Sequence, residues 1–158
     1  MKKLILAISI VAFSTVGAQA QSASKSTTLS IGINAGIPTN SVYNFAYGAD
    51  LQADFAVAAT TKITGSAGYE GYSAKGSNYV NNYFIPVLAG VKFNLGEKAY
   101  AHGQLGYGFA KGGSGAFGYA PSLGYYFSPK LDASVKYLAF SKNSSTIGSV
   151  NLRLAYNF

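Results

Sequence analysis

Hydrophobic and polar residues alternate with a period of two along most of the chain. Eight segments show the alternation: 28–37, 45–57, 63–70, 83–95, 101–109, 117–127, 131–139 and 149–158. In the last of them the apolar set is Val150, Leu152, Leu154, Tyr156 and Phe158. Because successive side chains of a β-strand point to opposite faces, the pattern predicts eight strands, each with an apolar face and a polar face.

The connections between these segments also alternate in character. Short turns occupy 58–61, 96–98 and 128–130, whereas the polar connections at 38–44, 73–82, 111–114 and 141–146 are mostly longer. This order is typical of an up-and-down antiparallel meander, and no stretch resembles a linker between domains. Pro86 and Pro121 fall inside the fourth and sixth predicted strands, where each removes a ladder donor, so we expect bulges or local breaks there.

Eight alternating strands fit either a soluble barrel with an apolar lumen or a membrane barrel with an apolar exterior. Most of the 13 tyrosines and 10 phenylalanines share the apolar phase, whereas the opposite phase is rich in glycine and serine. An eight-stranded lumen is only just wide enough for side chains, so the aromatic phase fits outside and the small residues fit inside. The predicted fold is therefore all-β: an eight-stranded antiparallel up-and-down transmembrane β-barrel.

Composition excludes several other classes of protein. The chain has no cysteine, which excludes a disulfide scaffold and a cysteine-ligated metal site. Only 11% of its residues are charged, and no stretch after residue 20 has 18 consecutive apolar residues, so neither a charged disordered tail nor a spanning helix is expected. The basic residues that give the net charge of +7 are scattered along the chain, which argues against nucleic-acid binding. No cofactor is expected.

The first twenty residues have the pattern of a signal peptide. Lys2 and Lys3 precede an apolar run over 4–16, and Ala18-Gln19-Ala20 supplies the small residues of a cleavage site. We therefore expect a signal peptide at 1–20 and a single barrel domain at 21–158.

With these features, the chain resembles the small eight-stranded outer-membrane β-barrel proteins of Gram-negative bacteria, of the OmpA/OmpX type. It is most similar to the short "porin family" barrels of Bacteroidota. The family's assembly signal combines a large polar residue, a glycine two positions later, and aromatics at the antepenultimate and last positions. Asn151, Tyr156 and Phe158 match it, and Arg153 stands where glycine is usual. The resemblance implies a location in the cell outer membrane, contact with its lipid, and recognition by the barrel-assembly machinery.

The polar phase contains a set of ionisable residues that the barrel would enclose. They are Asp50, Asp54, Glu70, Lys92, His102, Asp132, Lys136 and Arg153. Buried charges must pair or stay hydrated, so we expect a structural ion-pair network. Hairpin pairing of the last two strands places Arg153 opposite Ser134 and diagonal to Asp132 and Lys136. Because an unpaired charge in the lumen is costly, we expect Asp132, Asp54 or both to hold the guanidinium.

The sequence favours a structural or interaction role over two alternatives. The leading hypothesis is an integral outer-membrane barrel with a side-chain-filled lumen and an unidentified protein partner. The alternative is a narrow porin-like channel for small solutes. Five aromatic residues that break phase near the strand ends argue against it: Tyr72, Phe84, Tyr100, Tyr126 and Phe140. An outer-membrane enzyme comes third, because the single histidine, His102, is expected opposite Lys92 without a carboxylate to orient it; no catalytic, cofactor or metal residue is assigned.

Overall fold

The computed structural model describes residues 27–76, 80–110 and 114–158. The predicted signal peptide at 1–20 and parts of two predicted loops, 77–79 and 111–113, lie outside the described residues. Eight antiparallel strands make up most of the described chain. They are β1 (Thr27–Pro38), β2 (Tyr43–Ala56), β3 (Thr61–Ala74), β4 (Asn82–Asn94), β5 (Ala99–Ala110), β6 (Gly115–Ser128), β7 (Leu131–Lys142) and β8 (Ser145–Asn157).

The strands form a closed barrel in sequence order, as the alternation predicted. Each strand pairs with the next, and β8 pairs with β1 through a register that includes Ile33 opposite Leu154. Closure leaves no unpaired sheet edge, which is how a β-structure satisfies its backbone groups in lipid. The described part of the chain contains no helix long and apolar enough to cross a membrane.

The two ends of the barrel differ in their connections. At one end, called the turn end, β2–β3, β4–β5 and β6–β7 are joined by residues 57–60, 95–98 and 129–130. At the other, called the loop end, β1 is joined to β2, β3 to β4, β5 to β6 and β7 to β8. The predicted loop at 141–146 is wrong in length. Asn143 and Ser144 have φ of 48° and 64° and form a two-residue turn between Lys142 and Ser145, the conformation that matches the twist of a hairpin.

The two prolines interrupt ladders without changing the register. The β3–β4 pairing stops between Ala67–Val87 and Glu70–Phe84, on either side of Pro86, and resumes in the same register. The β6–β7 pairing is interrupted in the same way beside Pro121, between Tyr119–Ala139 and Ser122–Lys136. Local breaks, and not bulges, therefore accommodate the missing N–H groups. The register shifts lie elsewhere, near Tyr43 in β2 and Tyr126 in β6.

The apolar face of the sheet points outward. On β8, Val150, Leu152, Leu154 and Tyr156 are 43–61% exposed, whereas Ser149, Asn151, Arg153 and Asn157 are at most 7% exposed. A water-soluble barrel would show the reverse pattern. The interior has two parts: a polar network through the centre and turn end, and an apolar cluster below the loop end. That cluster contains Ala46, Tyr72, Phe84, Leu88, Ala116, Ala120, Leu138 and Phe140.

Candidate functional site

The lumen contains all of the ionisable residues that the polar phase of the sequence places inside. Each is at most 9% exposed: Asp50, Asp54, Glu70, Lys92, His102, Asp132, Lys136 and Arg153. Six of the eight strands contribute to this set. Their side chains meet because alternate residues of every strand point to the barrel axis.

Asp50 is the centre of the network. Its carboxylate accepts hydrogen bonds from Arg153, with Nη2–Oδ1 at 2.6 Å and Nε–Oδ2 at 3.0 Å. It also accepts from Asn34 Nδ2 at 3.0 Å and from Lys136 Nζ at 3.4 Å. Donors from β1, β7 and β8 thus converge on one carboxylate of β2, which compensates its charge within the barrel.

The closest partner of Arg153 is Asp50, which the sequence did not predict. Arg153 lies opposite Ser134, as the hairpin register predicted. Of its two predicted partners, Asp132 forms a longer ion pair, with Nη1–Oδ1 at 4.0 Å, whereas Asp54 is bound to Lys92. The guanidinium reaches over Gly32 of β1 to β2, because barrel closure places β8 and β2 on either side of β1.

A second group of bonds fills the turn end. Lys92 Nζ contacts Asp54 Oδ2 at 2.6 Å, and Gln52 Nε2 donates to the other oxygen of Asp54 at 2.6 Å. The Tyr100 hydroxyl donates to Asp132 at 2.6 Å, and Asn157 donates to the second oxygen of Asp132 at 3.0 Å. Each oxygen of both carboxylates therefore accepts a hydrogen bond from a charged or neutral donor.

His102 is held as an interior side chain. Its Nε2 lies 2.8 Å from Thr64 Oγ1. His102 is the residue opposite Lys92 in the β4–β5 register, as predicted. The side chain is 7% exposed. In the structure as described, no group of three His, Cys, Asp or Glu side chains could hold a metal ion.

Glu70 differs from the other acids because it has only neutral partners. Its Oε1 accepts from Asn151 Nδ2 at 2.8 Å and from Ser149 Oγ at 3.2 Å. Ser149 in turn lies 3.3 Å from the Tyr72 hydroxyl. Among the described side chains no cation lies within 4.0 Å of Glu70, which is 1% exposed.

The five aromatic residues that break phase lie inside the two mouths. At the loop end, the Phe84 and Phe140 rings stack at 4.2 Å between centroids, and Tyr72 meets Phe84 edge-on at 6.2 Å. At the turn end, Tyr100 and Tyr126 lie 4.9 Å apart. The rings form apolar layers above and below the ion pairs.

Several glycines that face the lumen leave room for large side chains from other strands. A Cβ at Gly108 would collide with the Phe140 ring, one at Gly124 with the Tyr100 ring, and one at Gly32 with the Arg153 guanidinium. Glycines at inward-facing positions therefore leave room for aromatic and cationic side chains in the lumen.

Four uncharged residues of the network were not predicted from the sequence. Asn34, Gln52, Thr64 and Asn157 all bond to the ionisable set. They lie in the polar phase of β1, β2, β3 and β8, so the same alternation that marked the charges could have found them. Of the proposed assembly residues, Asn151 points inward to Glu70, whereas Tyr156 and Phe158 point outward with their rings 5.3 Å apart.

Comparison with solved structures places the fold among outer-membrane barrels. Ail, the attachment invasion locus protein of Yersinia pestis, superposes with a TM-score of 0.61 and 18% identity, over 84% of this chain and 97% of that one. Neisserial surface protein A gives 0.56 and 14%, over 86% and 100%. The outer-membrane enzyme PagL gives 0.60 and 18%, over 80% and 98%.

Comparisons of sequence alone give no match. No protein-family model matches the chain, and no curated protein matches it. The fold evidence comes from a closed barrel with eight antiparallel strands, an apolar exterior and a polar interior, together with three full-length structural neighbours. The chain has the OmpA/OmpX-type fold of the eight-stranded outer-membrane β-barrels.

Proposed function

We propose that the protein is an integral outer-membrane barrel whose lumen is closed by its own side chains, and that its role is structural or interactive. One observation carries the proposal: apolar side chains cover the outside while paired charges and stacked rings occupy the inside. Such a molecule is stable in a bilayer and offers its loop end to partners. Outer-membrane lipid is the first partner it would meet.

The outward surface supports this location. Aromatic side chains gather near both ends of the strands, with Tyr69 and Tyr83 stacked towards the loop end and Tyr125 and Phe127 towards the turn end. Such girdles sit at the two water interfaces of membrane barrels. In this proposal residues 1–20 direct export, and the barrel-assembly machinery recognises Asn151, Tyr156 and Phe158.

A porin-like channel is the less favoured role. Arg153 and Lys136 both reach Asp50 in the central lumen, and Phe84 and Phe140 lie in it towards the loop end. A conducting barrel needs a continuous polar path, whereas an eight-stranded barrel leaves space only for the side chains that line it. The geometry therefore favours a barrel that does not conduct.

An enzymatic role is also less favoured, although PagL shares the fold. General acid–base chemistry needs a side chain within reach of a substrate. His102 is bound to Thr64 inside the barrel, and each carboxylate oxygen of Asp50, Asp54 and Asp132 accepts a hydrogen bond from the protein. We propose a non-enzymatic protein.

Fractionation of cells that express the full chain tests the location. The protein should be recovered in the outer membrane and should migrate faster on a denaturing gel when unheated than when boiled, because closed barrels resist detergent. Deleting Phe158 should lower the amount of assembled barrel while export continues. Recovery in the soluble periplasm without a heat-dependent shift would overturn the proposal. If the protein is recovered in the outer membrane, affinity capture from solubilised outer membranes would identify the protein partner.

A further inference from the structure

Glu70 lies at the boundary between the polar network and the apolar cluster. It stands opposite Gly48 of β2 and Phe84 of β4, and its side chain is 1% exposed. Both hydrogen bonds that it accepts, from Ser149 and Asn151, reach the same oxygen, Oε1. An ionised carboxylate at such a place is costly without a cation, so burial favours the neutral acid.

The charges of the lumen balance without Glu70. Three cations lie within 4.0 Å of three aspartates: Lys92, Lys136 and Arg153, with Asp50, Asp54 and Asp132. His102 contacts the Thr64 hydroxyl and lies opposite Lys92, where a second positive charge would be repelled, so the neutral imidazole fits this position. An ionised Glu70 would therefore leave one negative charge uncompensated, whereas a protonated Glu70 leaves the lumen neutral.

The second oxygen of Glu70 lies over the residue opposite Asn34, whose amide oxygen lacks a donor. Glu70 Oε2 occupies the space above Gly48, where any Cβ would collide with it. Asn34 is opposite Gly48 in the β1–β2 register; its Nδ2 is bound to Asp50, and its buried Oδ1 has no hydrogen-bond partner among the described groups. In the same part of the chain no donor reaches Oε2. A hydrogen on Oε2 would supply the donor that this place lacks.

We propose that Glu70 binds a proton at neutral pH, held on Oε2, and that this proton makes the closed lumen electrically neutral. The ionisable groups that face the site are Asp50 of β2, Lys136 of β7, Arg153 of β8 and Tyr72 on its own strand. Because both cations are bound to Asp50, loss of the proton would leave a buried anion without a partner. The inference depends only on the barrel interior, so it stands or falls separately from the cellular location.

Carboxyl NMR of the intact barrel in lipid nanodiscs tests the site, with glutamate labelled with ¹³C at its side-chain carboxyl group. The sequence contains two glutamates, Glu70 and the exposed Glu97, so Glu97→Gln leaves a single signal without changing the lumen. At neutral pH we expect that signal at the position of a protonated acid, calibrated with free glutamate in its protonated and ionised forms. A signal at the ionised position, with or without a response to added sodium chloride, would overturn the proposal.

The pH dependence of unfolding is a second test, with Glu70→Gln as the variant that cannot titrate. Between about pH 5.5 and 8 an unfolded glutamate is ionised, so the wild type takes up one more proton on folding than the variant does. Its stability should therefore fall as the pH rises, and its unfolding equilibrium constant should increase about ten-fold per pH unit relative to that of the variant.

Glu97→Gln is the matched control for this measurement and should follow the wild type, because its side chain is exposed at the turn end. A ratio of unfolding constants between the wild type and Glu70→Gln that stays constant or falls as the pH rises would overturn the proposal. If Glu70→Gln does not fold, as judged by the heat-dependent gel shift, the carboxyl signal of Glu97→Gln decides alone.

Discussion

Arg153 and Asp50 are 103 residues apart in the chain, yet they form a two-point hydrogen bond inside the lumen, with Nη2–Oδ1 at 2.6 Å and Nε–Oδ2 at 3.0 Å. The two residues belong to β8 and β2, and β1 lies between these strands. Gly32 of β1 makes the contact possible, because any Cβ at that position would collide with the guanidinium. The ion pair ties the first hairpin to the last strand and so reinforces the closure of the barrel.

Asp50→Asn should therefore be strongly destabilising. The change removes the charge that Arg153 and Lys136 share and leaves buried cations without a partner. Breaking a buried pair in this way costs about 3–5 kcal/mol. Urea unfolding in vesicles, followed by circular dichroism because the chain has no tryptophan, measures the effect. Lys130→Ala, in an exposed turn, should change the free energy of unfolding by no more than about 0.5 kcal/mol.

Glu70→Gln is the matched change at an acid without a cation. The amide keeps an oxygen to accept from Asn151 and Ser149, and it removes a buried ionisable group that has no cation within 4.0 Å. We expect a change in unfolding free energy within about 1 kcal/mol, or a gain in stability. A loss as large as that of Asp50→Asn would show that Glu70 has a charged partner that this account omits.

The glycines of β5 and β6 offer a second matched pair. Gly124→Ala places a methyl group against the Tyr100 ring, whose hydroxyl binds Asp132, and should cost roughly 1–3 kcal/mol through overpacking. At Gly103, which faces outward, a Cβ meets no atom within 4 Å. Gly103→Ala should be neutral within about 0.5 kcal/mol. Equal losses of stability at both positions would mean that the lumen glycines do not make room for these rings.

Single cysteines on β8 test which face meets lipid, and the natural chain has no cysteine to interfere. A lipid-soluble thiol reagent should label cysteines at Val150, Leu152 and Leu154 and spare those at Ser149 and Asn151. Leu152→Arg should cost about 2–4 kcal/mol if it lies near the midplane. The opposite labelling pattern would invert the assignment of the two faces.

Much of this fold follows from local pattern alone. The period of two gives the strands and their facing, and hairpin geometry places Lys92 opposite His102 and Arg153 opposite Ser134. The Arg153–Asp50 pair could not be predicted in the same way, because it joins strands that are not neighbours along the sheet. Its distance depends on how far the closed barrel staggers its strands, which no single hairpin determines.

The two-residue turn at Asn143 and Ser144 shows a different limit. Polar residues on both sides of it look like a loop in sequence, although they continue the β7–β8 ladder as far as Lys142 and Ser145. At the prolines, the pattern indicated a lost ladder donor but not whether the strand would bulge or keep its register. Pairing on both sides of Pro86 and Pro121 keeps the register.

Conductance of the purified protein in planar lipid bilayers tests the central claim, that paired charges and stacked rings close the lumen. The account predicts no channel steps above the background of protein-free bilayers, from material whose heat-dependent gel shift shows a folded barrel. Stable, reproducible single-channel steps from that material would contradict the closed lumen and favour the porin-like role.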